Sequence, residues 1–272
     1  VSVYRSSYDQ YTPKRLSMMN DLGKAIREDH LELYYQPKID IKSGQVYGFE
    51  ALVRWNHPEV GFIPPVEFIP LAEVSNIIHP LTKWVVESSI IQAKAWLDAG
   101  YEFSIAANLS TQNLSDDQFV ENLEALLEKH QLPAKYLELE ITESSIMAYP
   151  DRALRTLNEI NQLGIALSID DFGTGYSSLA YLKRLPVSTL KIDSSFVMGI
   201  LDDAQDSIIV NSTINLAHNL GLEVIAEGVE ENDILTLLQD MNCDKAQGYY
   251  MAKPMPANEV QVWLDNEKWY TA

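Results

Sequence analysis

Four short stretches of the chain each bring an oxygen-bearing side chain to a matching place. In Phe103–Asn108 one face carries Phe103, Ile105 and Ala107, and the other carries Ser104, Ala106 and Asn108. In Leu137–Ile141 the apolar Leu137, Leu139 and Ile141 oppose Glu138 and Glu140. In Ala166–Asp170, Leu167 and Ile169 oppose Ala166, Ser168 and Asp170, and in Tyr47–Ala51, Tyr47, Phe49 and Ala51 oppose Gly48 and Glu50. Side chains alternate faces along a strand, so each stretch has a bulky face suited to packing under helices. The opposite face is small or polar and ends in Glu50, Asn108, Glu140 or Asp170. Three carboxylates and an amide oxygen are hard ligands suited to Mg²⁺, Mn²⁺ or Ca²⁺. Brought together in a concave site, such acids need a cation, a basic side chain or a proton to offset repulsion and lost solvation.

Asp170 is followed at once by Asp171 and then by Phe-Gly-Thr-Gly-Tyr-Ser-Ser. Adjacent aspartates at a strand end can bridge two cations, as two-metal phosphodiester hydrolysis requires. Gly173 and Gly175 make the following loop pliable, but their spacing does not fit the Gly-x-Gly-x-x-Gly dinucleotide fingerprint. Lys191 and Asp193 share inward parity at the end of a sixth strand, where a lysine could orient a water or neutralise the acids. Glu227 ends a seventh strand and could take a proton from an attacking water. Arg54, just past Glu50, could grip a phosphate with both arms of its guanidinium. Glu138 also points inward, deeper, with no partner evident in the sequence. His30, His57, His79, His130 and His218 show no metal-ligand spacing, and Cys243 has no neighbouring base.

The elements that must hold these residues alternate. Strands are expected at Leu31–Gln36, Val46–Leu52, Phe103–Asn108, Leu137–Ile141, Ile165–Asp170, Thr189–Ile192, Glu223–Glu227 and Ala246–Tyr249, with helices between and after them. Helical stripes include Leu16, Met19, Leu22 and Ile26 within Lys14–Asp29, then Leu81, Trp84, Val85 and Ser88, and Ile234, Leu237, Leu238 and Met241. Ser115 to Gln118 reads as a capping box before Phe119, Leu123, Leu126 and Leu127. Eight strands mostly separated by helices predict an α/β fold, a (β/α)8 TIM-like barrel, in about the usual ~250 residues. A doubly wound sheet is the alternative. Lys38 to Gln45 is too short for a helix and reads as a turn around Ser43-Gly44, so the first strand is expected to run antiparallel. On a barrel the four donors would converge at the C-terminal mouth, where barrel active sites lie.

Composition narrows the functions. The chain has 272 residues, 46% hydrophobic and 22% charged, with 20 Lys plus Arg against 39 Asp plus Glu and a formal net charge of -19. An excess of that size repels DNA phosphate and anionic membrane surfaces. A phosphate ligand would therefore need positive charge from a metal. The single Cys243 excludes an internal disulfide and fits a cytoplasmic setting. No apolar run is long enough to span a membrane.

Glu50-Ala51-Leu52, within Gly-Phe-Glu-Ala-Leu-Val-Arg-Trp, resembles the signature of the EAL domains, which are cyclic di-GMP phosphodiesterases. The resemblance runs from about Leu31 to Pro256. It includes Tyr35-Gln-Pro37, Asn108-Leu-Ser110, Glu138-Leu-Glu-Ile-Thr-Glu143, Asp170-Asp-Phe-Gly-Thr-Gly, Leu190-Lys-Ile-Asp193, Ala226-Glu-Gly-Val-Glu230 and Gln247-Gly-Tyr249. It implies a barrel over 26–272 whose first strand is antiparallel to the rest, with 1–25 as a linker and helix leaving an upstream domain. It implies that Glu50, Asn108, Glu140 and Asp170 bind one Mg²⁺ or Mn²⁺, and that Asp170 with Asp171 holds a second. Lys191 would position the water, and Glu227 would act as base or second-metal partner. Glu143 would anchor the loop after Asp171, and Gln36, Leu52, Arg54, Asp193, Glu230 and Gln247 would line the dinucleotide site. The implied reaction turns cyclic di-GMP into linear pGpG, with Ca²⁺ inhibitory, and the implied partner is a second copy bound through the 171–179 region.

The first residues resemble the tail of a diguanylate-cyclase-type domain. The expected whole is therefore a multidomain signalling protein, with this segment in the cytoplasm even if the protein is anchored upstream. A receptor that binds the nucleotide without turnover is the competing reading, and an enolising barrel lyase a third. The first would not need a base beside two metals. The second would leave Asp171 and the loop after it without a role.

Overall fold

The structure is a computed structural model, and it describes residues 13–28, 30–174 and 179–266. Helix α1 (Pro13–Ala25) buries Leu22 and Ala25 against the barrel but leaves Leu16 exposed. It stops short of the predicted Lys14–Asp29, and Asp29 lies outside the described residues. Strand β1 (Leu31–Asp40) then turns back into β2 (Val46–His57). The turn closes because Asp40 Oδ1 accepts from Ser43 N at 2.7 Å and Gly44 adopts a φ of 68°. The hairpin continues into β3 (Gly61–Ile63). Helices α2 (Pro65–Glu73) and α3 (Ile78–Asp98) lead to β4 (Ser104–Leu109).

The βα alternation then proceeds. Helix α4 (Phe119–His130) leads to β5 (Leu137–Thr142), and α5 (Glu143–Ala148) with α6 (Pro150–Gln162) leads to β6 (Ala166–Phe172). Helix α7 (Leu179–Leu182) precedes β7 (Thr189–Ile192), and α8 (Ser194–Met198) with α9 (Ala204–Asn219) precedes β8 (Glu223–Ala226). The chain ends through α10 (Asn232–Asp240), β9 (Lys245–Ala246), β10 (Met255–Pro256) and α11 (Ala257–Asn266).

Strands β1, β9, β8, β7, β6, β5, β4 and β2 are neighbours in that order, and β1 pairs with β2 to close the ring. Strand β1 is antiparallel to both β2 and β9, while the pairs from β2 through β4 and on to β9 are parallel. This is the predicted (β/α)8 TIM-like barrel with its first strand reversed, and the doubly wound alternative falls away.

The parity argument accounts for the packing. Ile105, Leu137, Leu139, Ile141, Leu167 and Leu190 form the outer faces and are at most 1% exposed under the helices. An aromatic knot secures the reversed strand: Trp96 of α3 lies 5.1 Å from Tyr35 and 4.9 Å from Phe49, ring centre to ring centre. Such contacts add to the area they bury.

Three local expectations need correction. Strand β1 runs through Pro37 to Asp40, past its predicted end at Gln36. A proline is tolerated where the ladder asks nothing of it, and Pro37 falls between the segments that pair with β10 and with β9. The last barrel strand is only Lys245–Ala246 rather than Ala246–Tyr249. Gly248 instead lies against Val229, so close that a Cβ would stand 2.1 Å from the Val229 carbonyl oxygen. The capping box does not form. Ser115 closes a short 3-10 turn, Asp116 Oδ1 accepts from Gln118 N at 3.0 Å, and Phe119 starts α4 with no side-chain cap.

No helix among the described residues is long and apolar enough to cross a membrane.

Candidate active site

The inward parity of the strands delivers side chains in rows. Gln36 pairs with Glu50 and Lys38 with Gly48 between β1 and β2. Asn108 pairs with Glu140, and Glu140 with Ser168, across β4, β5 and β6. The small Gly48, Ala106 and Ala166 leave room inside the barrel for longer polar neighbours. At Gly48 the walls are so close that a Cβ would lie 2.4 Å from Ser104 Oγ.

Lys191 of β7 stands at the centre, fully buried. Its Nζ is 2.5 Å from Glu140 Oε2, 2.6 Å from Glu227 Oε1, 3.1 Å from Asp170 Oδ1 and 4.0 Å from Glu50 Oε2. Glu50 is fixed from its other sides, with Asn108 Nδ2 donating to Oε1 at 2.8 Å and Gln247 Nε2 to Oε2 at 2.6 Å. Gln247 Nε2 also lies 3.1 Å from Gln36 Oε1, and Gln36 Nε2 donates to the Ala252 carbonyl.

One ammonium cannot satisfy this many carboxylates, and their proton affinities show it. Burial, opposed by Lys191 and reinforced by Glu50, pushes Glu140 up to about 8. Glu227 is raised well above the ordinary carboxylate range, by burial first and by Asp170 and Glu50 besides. Burial works against charge on Lys191, but Asp170, Glu140, Glu227 and Glu50 outweigh it and hold that pKa well above its ordinary value.

Asp170 and Asp171 should face opposite ways on a regular strand. They do not, because the β6–β7 register shifts between Ile169 and Phe172 and Asp171 takes a left-handed φ of 54°. Carboxylate oxygens of Asp170, Asp171 and Glu227 consequently lie within 4.8 Å of one another. Burial, with Asp170 and Asp193 adjacent, raises Asp171 to about 6. Carboxylate oxygens and one amide oxygen, carrying more negative charge than Lys191 offsets, fit hard divalent cations.

Two cavities flank this acidic floor. One, of about 320 Å³, is lined by Gln36, Glu50, Leu52, Asp170, Glu227, Glu230, Gln247 and Tyr249 among others. The second, of about 300 Å³, lies toward α2 and α3 and is lined by Leu52, Pro65, Ile69, Glu73, Leu81, Val85, Asn108, Asp170 and Asp171 among others. Leu52 and Asp170 belong to both walls.

Most of the predicted site residues meet here, and three stand apart. Asp193 caps α8, its Oδ1 accepting from Ser195 N at 3.0 Å, and borders the site through Asp171. Arg54 is half-buried, its Nη1 donating to the Val53 carbonyl and its guanidinium 5.4 Å from the Tyr34 ring centre, with Tyr249 and Glu50 near enough to act on its charge. Glu143 is buried behind the site beside Ile169 and Phe172, and neither of its carboxylate oxygens has a hydrogen-bond partner among the described residues. Of the predicted dimer contact through 171–179, residues 175–178 lie outside the described residues.

Sequence reasoning missed two features. The second cavity depends on α2 and α3, whose relation to the mouth only the fold reveals. The partner of Glu138 is Lys38, with Nζ 2.5 Å from Glu138 Oε2. Lys38 has the same parity as Gln36 and would have been found had β1 been extended through Pro37.

The fold and the site define a reversed-first-strand barrel with a carboxylate-rich mouth. Residues 19–254 match the EAL domain family model, and the chain belongs to that family. It is 39% identical over 94% of its length to the bifunctional diguanylate cyclase/cyclic di-GMP phosphodiesterase MucR of Pseudomonas aeruginosa, covering 38% of that protein. It is 37% identical over 96% of its length to the cyclic di-GMP phosphodiesterase PdeR of Escherichia coli, covering 39% of it. The chain thus spans less than half the length of these curated relatives. A solved structure of the MucR phosphodiesterase in complex with c-di-GMP superposes with a TM-score of 0.86 at 40% identity, covering 90% of this chain and 99% of that one.

Proposed function

We propose that this barrel is a metal-dependent phosphodiesterase that opens cyclic di-GMP to linear pGpG. The observation that carries the reading is the ring of Glu50, Glu140, Asp170 and Glu227 around Lys191 at the barrel mouth, with Asp171 folded back into it. The two cavities support the choice of substrate. They share Leu52 and Asp170 as lining residues, and a cyclic dinucleotide has two bases to place on either side of its phosphates.

In this reading Glu50, Asn108, Glu140 and Asp170 would hold one Mg²⁺ or Mn²⁺, and Asp170 with Asp171 would hold a second. Bound there, the cations would acidify a water and stabilise the departing 3′ oxygen. The chain's own residues do the rest. Lys191 Nζ, held between Glu140 and Glu227, orients the attacking water toward phosphorus. Glu227 Oε1 receives that water's proton. Gln36 and Gln247 keep Glu50 in place, Leu52 and Glu230 line the path of the nucleotide, and Asp193 borders it through Asp171. Arg54, whose Nη1 donates to the Val53 carbonyl, would contact a phosphate through its remaining N–H groups. The same oxygens would also accept Ca²⁺, which supplies weaker acidification of water and would therefore inhibit.

The purified chain, incubated with cyclic di-GMP and Mg²⁺ or Mn²⁺ and analysed by chromatography, is expected to yield pGpG. Glu50→Ala is expected to lower turnover by at least ~10²-fold, by analogy with loss of one electrostatic stabiliser. Saturable binding with no product from the unsubstituted chain would make the domain a receptor instead.

A further inference from the structure

Beneath the acids lies a second charged layer. Lys38 of β1 is fully buried, and Glu138 of β5 is 5% exposed. Lys38 Nζ donates to Glu138 Oε2 at 2.5 Å and reaches Glu140 Oε1 at 3.4 Å. The opposite oxygen of Glu140, Oε2, is the one held by Lys191 at 2.5 Å. Glu140 is therefore gripped at both oxygens, from below by Lys38 and from the mouth by Lys191. The ring of Tyr47 lies beside the lower ammonium, 5.6 Å away at its centre.

Stability alone does not account for the lower pair. Taking two charges out of water costs about as much as their attraction returns, and a well-packed apolar pair of similar volume is often as stable or more so. Geometry gives it another consequence. Glu138 takes the closer contact at 2.5 Å, so the ammonium reaches Glu140 only at 3.4 Å and stays below it. Lys38 in turn fixes the lower oxygen of Glu140, which stops the carboxylate rotating about its last bond. Groups behind a metal ligand that orient it in this way tune metal affinity without touching the metal.

We propose that Lys38, tethered by Glu138, is a positioning residue that sets the orientation in which Glu140 meets the divalent cation. The inference rests on the assignment of Glu140 as a ligand in the proposed phosphodiesterase. It assigns Lys38 and Glu138 to metal affinity rather than to nucleotide recognition.

The test compares the unsubstituted chain with Lys38→Met and with Lys38→Met/Glu138→Leu. Mn²⁺ alone is titrated and followed by electron paramagnetic resonance, thermal unfolding is recorded on the same samples, and pGpG formation is measured in parallel. Lys38→Met leaves Glu138 buried without its ion-pair partner, so it is expected to lose both stability and Mn²⁺ affinity. The double variant replaces the ion pair by apolar side chains. It is expected to regain stability while Mn²⁺ affinity stays about 10- to 100-fold weaker, the range seen when such orienting groups are removed. A pair that served packing alone would recover both together, and a double variant that binds Mn²⁺ like the unsubstituted chain overturns the proposal. The two readings fail separately. An unsubstituted chain that binds Mn²⁺ but makes no pGpG refutes the phosphodiesterase and leaves the Mn²⁺ comparison to decide the role of Lys38.

Discussion

Asp171 joins the site only because its backbone leaves the strand. Its φ of 54° is a conformation that aspartate and asparagine visit and that β-branched residues resist. Two substitutions separate the charge from the backbone. Asp171→Asn keeps the turn and removes a carboxylate, so it is expected to lower activity with little change in stability. Asp171→Val removes the same carboxylate and is expected to unfold more easily, by roughly 1–2 kcal/mol relative to the asparagine variant. Equal denaturant midpoints for the two would show that the bulge is not held against strain. Glu227 allows a similar separation. Glu227→Gln keeps an oxygen for Lys191 but cannot take a proton. Nucleotide affinity measured by calorimetry is expected to persist while turnover falls, and loss of binding would remove Glu227 from the role of base.

Strands and their contacts decide how much of this could be read in advance. The donors at Glu50, Asn108, Glu140 and Asp170 are legible because a period of two is written in each strand by its own residues. Lys38 is not, because Pro37 looks like a strand end until the gap between β10 and β9 is seen. The bulge at Asp171 is set by the β6–β7 register, and the early end of β9 by the approach of Gly248 to Val229. Both are contacts between segments far apart in the chain. The false capping box has a local cause: Asp116 competes for the amide of Gln118. Gly48 shows the same dependence on distant contact and gives a prediction at this scale. A methyl group there would meet Ser104 Oγ at 2.4 Å and its carbonyl oxygen at 2.6 Å, so β2 and β4 would have to separate. Gly48→Ala is expected to cost about 1–3 kcal/mol, the usual penalty for overpacking, and to weaken metal binding by displacing Glu50 two residues on. Calorimetric unfolding and an Mn²⁺ titration would check it, and an unchanged melting temperature would mean the walls yield freely.

Across the whole molecule, charge opposes the proposed ligand. The chain carries a formal net charge of -19, and the proposed substrate brings a negative charge on each of its two phosphates. Without cations, the acids at the mouth should repel it. Salt shortens the reach of such repulsion, from about 10 Å at 0.1 M to about 3 Å at 1 M. In EDTA, cyclic di-GMP affinity is therefore expected to be weak and to rise several-fold as NaCl is raised over that range. With saturating Ca²⁺, which would occupy the oxygens while holding back turnover, the local charge is offset. Affinity should then be stronger, with a salt dependence that flattens or reverses. Calorimetric titrations under the four conditions separate the possibilities. Affinity in EDTA that falls steadily with salt would mean that basic side chains, Arg54 first among them, govern phosphate binding rather than cations held by the acids.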